Sequence, residues 1–172
     1  MNRNSPLLSL LLIPAIAAGG CTGEAPTASA DVLKSSQPRT MEVSVPTEEV
    51  DALVADNGEF AFDLYRHLKS DGENLFYSPH SISLALAMTY AGAREETGRA
   101  MGEALNWTLP QDRLHPAFNY LDMELSSRGE GAEGKDDEGF RLSIVNAVWG
   151  QKGHSFLSDY LDTLAMNYGA GL

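Results

Sequence analysis

A chain of 172 residues is long enough to fold as one domain around a sizeable core. Its 24 acidic residues against 12 Lys and Arg leave a formal net charge of −12, and no basic cluster interrupts the acidity. That balance argues against a nucleic-acid partner, which needs a positive footprint to displace counterions. The single cysteine, Cys21, excludes a disulfide within the chain.

Taken in chain order, residues 1–20 read as a targeting segment. Arg3 supplies a positive start, and Leu7 to Ala18 form an apolar run too short to span a bilayer as a helix. Ala18-Gly19-Gly20-Cys21 then resembles a lipobox, in which cleavage precedes a cysteine whose thiol is lipidated. The plainer alternative is an ordinary signal peptide followed by an incidental cysteine. The lipobox reading makes residues 1–20 a lipoprotein signal peptide and Cys21 the lipidation site. It places the protein outside the cytoplasm, secreted and anchored to a membrane on the extracellular or periplasmic side. Residues 21–46, rich in Thr, Ala, Ser, Pro and Glu without an apolar period, are expected to be a flexible tether. The folded part is expected over 47–172.

Phe60, Leu64 and Leu68 recur at helical spacing, and Asp56 with Glu59 suits an N-cap and its partner three residues on. Asp71-Gly72 marks the stop. Asn74-Leu75-Phe76-Tyr77 reads as a short strand. Ser78-Pro79 opens a helix, because serine caps orphan N–H groups and proline needs none at the first helical position. Ile82, Leu84, Ala85, Leu86, Ala87, Met88 and Tyr90 cover nearly every face of it, so it is expected to be buried. Gly92 suits a left-handed terminus.

Thr97, Ala100, Met101, Ala104 and Leu105 predict a third helix, with Glu95 and Glu96 in its first turn. Leu114, Phe118, Leu121 and Leu125 predict a fourth that starts at Pro116 and carries Asn119 on its polar face. Ser126 to Gly139, acidic and glycine-rich, reads as an exposed loop. Phe140 to Gly150 is strand-like: Phe140, Leu142 and Ile144 alternate with polar residues, then Val145, Ala147, Val148 and Trp149 fill both faces. Leu157, Leu161, Leu164 and Tyr168 predict a last helix closed by Gly169.

Little in the chain suggests catalysis. His80 lies near Ser78 and Ser81, but all three share one helical turn, and no nucleophile elbow precedes them. His67, His115 and His154 are isolated and lack metal-ligand spacing. Asp136, Asp137 and Glu138 lack the spacing of a calcium loop, and Gly129, Gly131 and Gly134 lie in acidic surroundings that would repel a phosphate. No catalytic residue, metal or cofactor is therefore assigned. Asn146, set in an apolar stretch, is expected to be a buried polar group with a structural hydrogen bond.

Several separated blocks, in order, resemble the serpin family. They are Phe60-Ala61-Phe62-Asp63-Leu64-Tyr65; Asn74 to Pro79 with Ser81-Ile82-Ser83 and Leu84 to Met88; Gly92-Ala93 and Thr97; Leu142 to Trp149; and Phe156 to Gly169. The resemblance implies an α+β serpin fold, of which this sequence carries the N-terminal part: helices A to E, strand 6 of sheet B and strand 2 of sheet A. It implies inhibition of a serine or cysteine protease, in which a cleaved reactive loop inserts into sheet A. The protein is then expected to be a monomer when complete and not an enzyme. Ser78 and Ser81 would be small hydroxyls in the gate beneath that sheet. The strands that flank insertion and the reactive centre lie in the part of a serpin that would follow Leu172, so no reactive-centre residue is expected in this sequence. Two alternatives stand beside this reading, a non-inhibitory serpin-like binding protein and an unrelated lipid-anchored enzyme.

Overall fold

Five helices are laid down in chain order: α1 Thr47–Leu68, α2 Pro79–Tyr90, α3 Glu95–Ala104, α4 Gln111–Ser127 and α5 Ser158–Tyr168. The computed structural model describes residues 31–70, 72–131, 139, 142 and 144–172, and Asp31–Leu172 form one compact unit. Among the described residues no helix is long and apolar enough to cross a membrane. Cys21, Phe140 and the acidic stretch with Asp136, Asp137 and Glu138 lie outside the described residues.

The core lies where α1, α2 and α4 meet. Leu53 and Phe60 of α1, Leu84, Ala87 and Tyr90 of α2, and Leu114, Ala117 and Phe118 of α4 form one buried cluster. Trp107, in the connection before α4, fills its centre. Its ring lies 4.9 Å from that of Tyr90 and edge-on to Phe118 at 5.9 Å. Every apolar side chain of α2 is buried or half-buried, as its apolar coverage predicts.

The start of α1 differs from expectation. The helix begins nine residues before Asp56, with Pro46 at the cap position and Glu48 and Glu49 in a first turn that favours acids. Leu53, fully buried, is the packing reason for the early start. Asp56 is instead a buried mid-helix carboxylate. Its Oδ2 accepts from the Thr108 backbone N–H at 2.7 Å and from the Thr108 hydroxyl at 2.9 Å, which fixes the connection from α3 to α4.

Pro116 does not start α4 either. The helix opens at Gln111 after Pro110, and Pro116 sits inside it. The extra turn is retained because Leu114 is fully buried, Arg113 pairs with Glu49 of α1, and the Gln111 side chain donates to the Tyr90 and Ala93 carbonyls at 2.8 and 2.9 Å. These contacts outweigh the backbone bond that proline removes.

Helix α3 packs through part of the predicted stripe and through its backbone: Met101 is half-buried against the core, and Leu105, just past the helix end, is buried in it. Gly98 and Gly102 are its buried residues, whereas Thr97, Ala100 and Ala104 are exposed. A side chain at Gly102 would reach the Tyr90 hydroxyl, so the small residue allows close approach. Gly92 does not hold a left-handed terminus; it leaves room for the Tyr160 ring. Gly169 does hold one at the end of α5, with φ +61°, and the Ala170 N–H returns to the Leu164 carbonyl at 3.2 Å.

No described residue is in a strand. Asn74–Phe76 are exposed, and only Tyr77 turns inward, its hydroxyl donating to the Ala61 carbonyl at 3.1 Å. Residues 144–149 alternate strictly: Ile144, Asn146 and Val148 are half-buried while Val145, Ala147 and Trp149 are exposed. The segment therefore covers the core on one side only, and Val145 (87%) and Trp149 (79%) stand in solvent, contrary to the expectation that both faces are filled. A ladder needs a neighbouring backbone, and none of the described residues supplies one to either segment.

Two polar expectations also change. Asn119 is not on a solvated face but fully buried, with three hydrogen-bond partners described below. The tether expected over 21–46 is not free where it is described. Leu33 and Leu172 exchange both backbone bonds at 2.7 and 2.9 Å, the Thr40 N–H donates to the Met166 carbonyl at 2.9 Å, and Val45 packs on the core.

Candidate functional site at the start of the second helix

The first turn of α2 carries a dense set of hydroxyls. Ser78 is extended, with φ −117° and ψ 98°, and its Oγ accepts from the Ser81 backbone N–H at 3.3 Å. That is the cap the sequence predicts, with Pro79 at the first helical position. The Ser78 hydroxyl also donates to Ser81 Oγ at 3.0 Å, so the two hydroxyls satisfy one another at the helix mouth. Ser78 is exposed and Ser81 half-buried.

Ser83 is fully buried, and its hydroxyl donates to Asn57 Oδ1 of α1 at 2.5 Å, a polar rivet between the two helices. The signal of Ser83 in the sequence is a serine between Ile82 and Leu84, a position where only a bonded hydroxyl is tolerated. His80, half-buried, makes no hydrogen bond to Ser78 or Ser81 among the described residues, and its buried Nε2 has no partner there. Burial holds the His80 pKa below its ordinary value, partly offset by the Asp122 charge. The turn therefore lacks the base–hydroxyl bond that would activate a serine.

Asn146 lies elsewhere. It lines a cavity of about 240 Å³ whose walls include Leu84 and Met88 of α2, Asp122 of α4, Arg39, Ile144 and Tyr168. Its Nδ2 is buried and finds no partner among the described residues. The structure brings Asn146 to the middle of α2. Ser78 and Ser81 do not line this cavity.

A second buried polar pair was not foreseen. His115 Nδ1 lies 2.6 Å from the Tyr168 hydroxyl, joining α4 to the last residue of α5. Burial, with a lesser contribution from the Arg94 charge, pushes His115 down to about 4, and burial pushes the Tyr168 phenol up. His67 and His154 are exposed.

The comparisons with known proteins agree with one another. The family model described as serpin (serine protease inhibitor) matches residues 55–172. An uncharacterised serpin-like protein of Thermococcus kodakarensis is 35% identical over 94% of this chain. The leukocyte elastase inhibitors of Xenopus tropicalis and Sus scrofa are each 34% identical, over 66% and 72% of it. The chain spans 38% of the length of the first relative and 28% and 31% of the other two. On the match over residues 55–172, the chain belongs to the serpin family.

Proposed function

We propose that this chain is the N-terminal part of a serpin-type inhibitor of serine proteases, working by loop insertion, with the α+β fold of its family. The observation that carries the reading is the family match over residues 55–172. Relatives named as elastase inhibitors support a protease as the partner. In this reading the chain's own contribution is a platform. The Ser83–Asn57 bond and the apolar sides of α2 hold that helix rigid, and Ser78 and Ser81 offer small polar groups at its mouth. Residues 144–149, half-buried on one side and bare on the other, have the pattern of a sheet strand whose neighbours come from elsewhere. The reactive loop belongs to the part of the family fold beyond the matched span. Cys21 is the lipid-bearing residue that anchors the protein to a membrane from the outside, following a signal peptide over 1–20, and the inhibitor acts as a monomer without cofactor or metal.

A second reading, a serpin-like protein that binds a partner without inhibiting it, is favoured by one observation: the relative matching 94% of the chain is named serpin-like and uncharacterised. Incubation with a panel of serine proteases followed by a denaturing gel separates the two. The product of the whole coding region is expected to give a covalent complex that survives boiling in detergent, and residues 22–172 alone none. Cleavage without a complex would favour the second reading. Intact-mass analysis tests the anchor, since an unmodified Cys21 thiol would overturn it.

A further inference from the structure

The segment before α1 crosses α4 and α5 and holds them chiefly by polar contacts. Arg39 donates through Nε to Asn119 Oδ1 at 2.9 Å and through Nη2 to Asp122 at 2.6 Å, both on α4. Asn119 Nδ2 donates in turn to the Thr40 carbonyl at 2.8 Å and to the Met166 carbonyl of α5 at 3.4 Å. The Thr40 N–H returns to Met166 at 2.9 Å, Ser35 bonds Asp162, and Leu33 pairs with Leu172. One buried asparagine thus joins three elements. Gly169 lies beneath the Arg39 side chain, where a Cβ would stand 3.1 Å from Cδ.

Apolar burial contributes little to this attachment. Val32, Leu33 and Met41 are exposed, Val43 is only half-buried beside Tyr120 and Met123, and the core cluster is built without residues 31–43. Net hydrogen bonds are individually modest, whereas an apolar core opens only with the whole fold. A segment held by the first and not the second is a separate opening unit.

We propose that residues 31–43 are a reversible strap that fastens α5 to α4, keyed by Arg39 and Asn119, and that it opens independently of the α1–α2–α4 core. Opening exposes the Asn119 amide, removes the Arg39 wall of the cavity beside Asn146, and frees the end of α5. The inference does not depend on inhibitory activity.

The test is hydrogen exchange on the full chain, read by mass spectrometry. Arg39→Ala removes both charged bonds and is expected to speed exchange about tenfold or more in peptides covering 33–43 and 164–172. Peptides from α1 and α2 are expected to exchange as in the wild type. Ser35→Ala, which removes only the bond to Asp162, is expected to give a smaller change confined to the same peptides, and it serves if Arg39→Ala does not fold. A uniform rise across all five helices would show the segment to be part of the global core and overturn the proposal. Unchanged exchange at 164–172 in both variants would overturn it as well, because the strap would then not hold α5.

Discussion

The junction of α1, α2 and α4 and the junction of α4, α5 and the N-terminal strap differ in how much of each rests on polar contacts. The first is apolar: Leu53, Met88, Leu114 and Phe118 are fully or almost fully buried, and aromatic rings meet at its centre. The second buries Leu164 and Ala165 of α5 but adds a cluster of polar bonds, with Arg39, Asn119 and Asp122 on one side and the His115–Tyr168 pair on the other. The difference teaches where each kind of contact can be read. Apolar packing leaves a period in one segment, whereas a polar junction draws single residues from distant segments and leaves none.

Variants at four positions sharpen that contrast. Phe118→Ala empties the centre of the apolar junction and is expected to cost about 3–5 kcal/mol in denaturant melts. A cost near that of a surface alanine substitution would show that the three helices do not share one core.

The acid response comes next. The folded His115 pKa, about 4, lies below the unfolded value near 6.5, so the fold favours the neutral ring. Its contribution is intact above pH 6.5 and is lost as the pH falls from about 6.5 to about 4, where the unfolded chain binds the proton first. The loss is on the order of 3 kcal/mol. His115→Gln is expected to flatten that part of the stability–pH curve. A variant curve parallel to the wild type between pH 7 and pH 4 would assign the acid sensitivity to other groups.

Asn119→Ala leaves Arg39 Nε and the Thr40 carbonyl without their buried partner, and should cost about 2 kcal/mol. A value within error of zero would return Asn119 to the solvated face that its sequence position suggests. The smallest effect is at the helix mouth. Ser78→Ala removes the cap of α2 and should cost about 1 kcal/mol, with Ser78→Gly costing only a few tenths. Equal losses for the two would mean that the hydroxyl is not the capping group.

The helix content was legible because local signals agreed. Ser78-Pro79 announced α2, Glu95 and Glu96 announced α3, and Gly169 closed α5 in a left-handed conformation. Boundaries failed where a distant contact outweighed a local preference. Asp56 has the chemistry of an N-cap but serves Thr108, 52 residues away. Pro116 has the chemistry of a start, but Leu114 and Arg113 hold the turn before it. At the candidate site the Ser78 cap was legible, since it bonds its own helix. The Ser83–Asn57 rivet and the place of Asn146 beside Leu84 and Met88 were not, because each depends on what another segment places beside it.

By itself the sequence determined the acidic balance, the lone cysteine, the buried second helix and the family. Those rest on composition, on periods within one segment and on short blocks in fixed order. Only the tertiary structure decided that Asn119 is a buried hub, that residues 31–46 pack against the helices, and that residues 144–149 cover the core on one side alone. A hydrogen bond between segments about 80 residues apart, such as Arg39 to Asn119, leaves no periodic trace in either segment, because its partners meet only after the chain has folded.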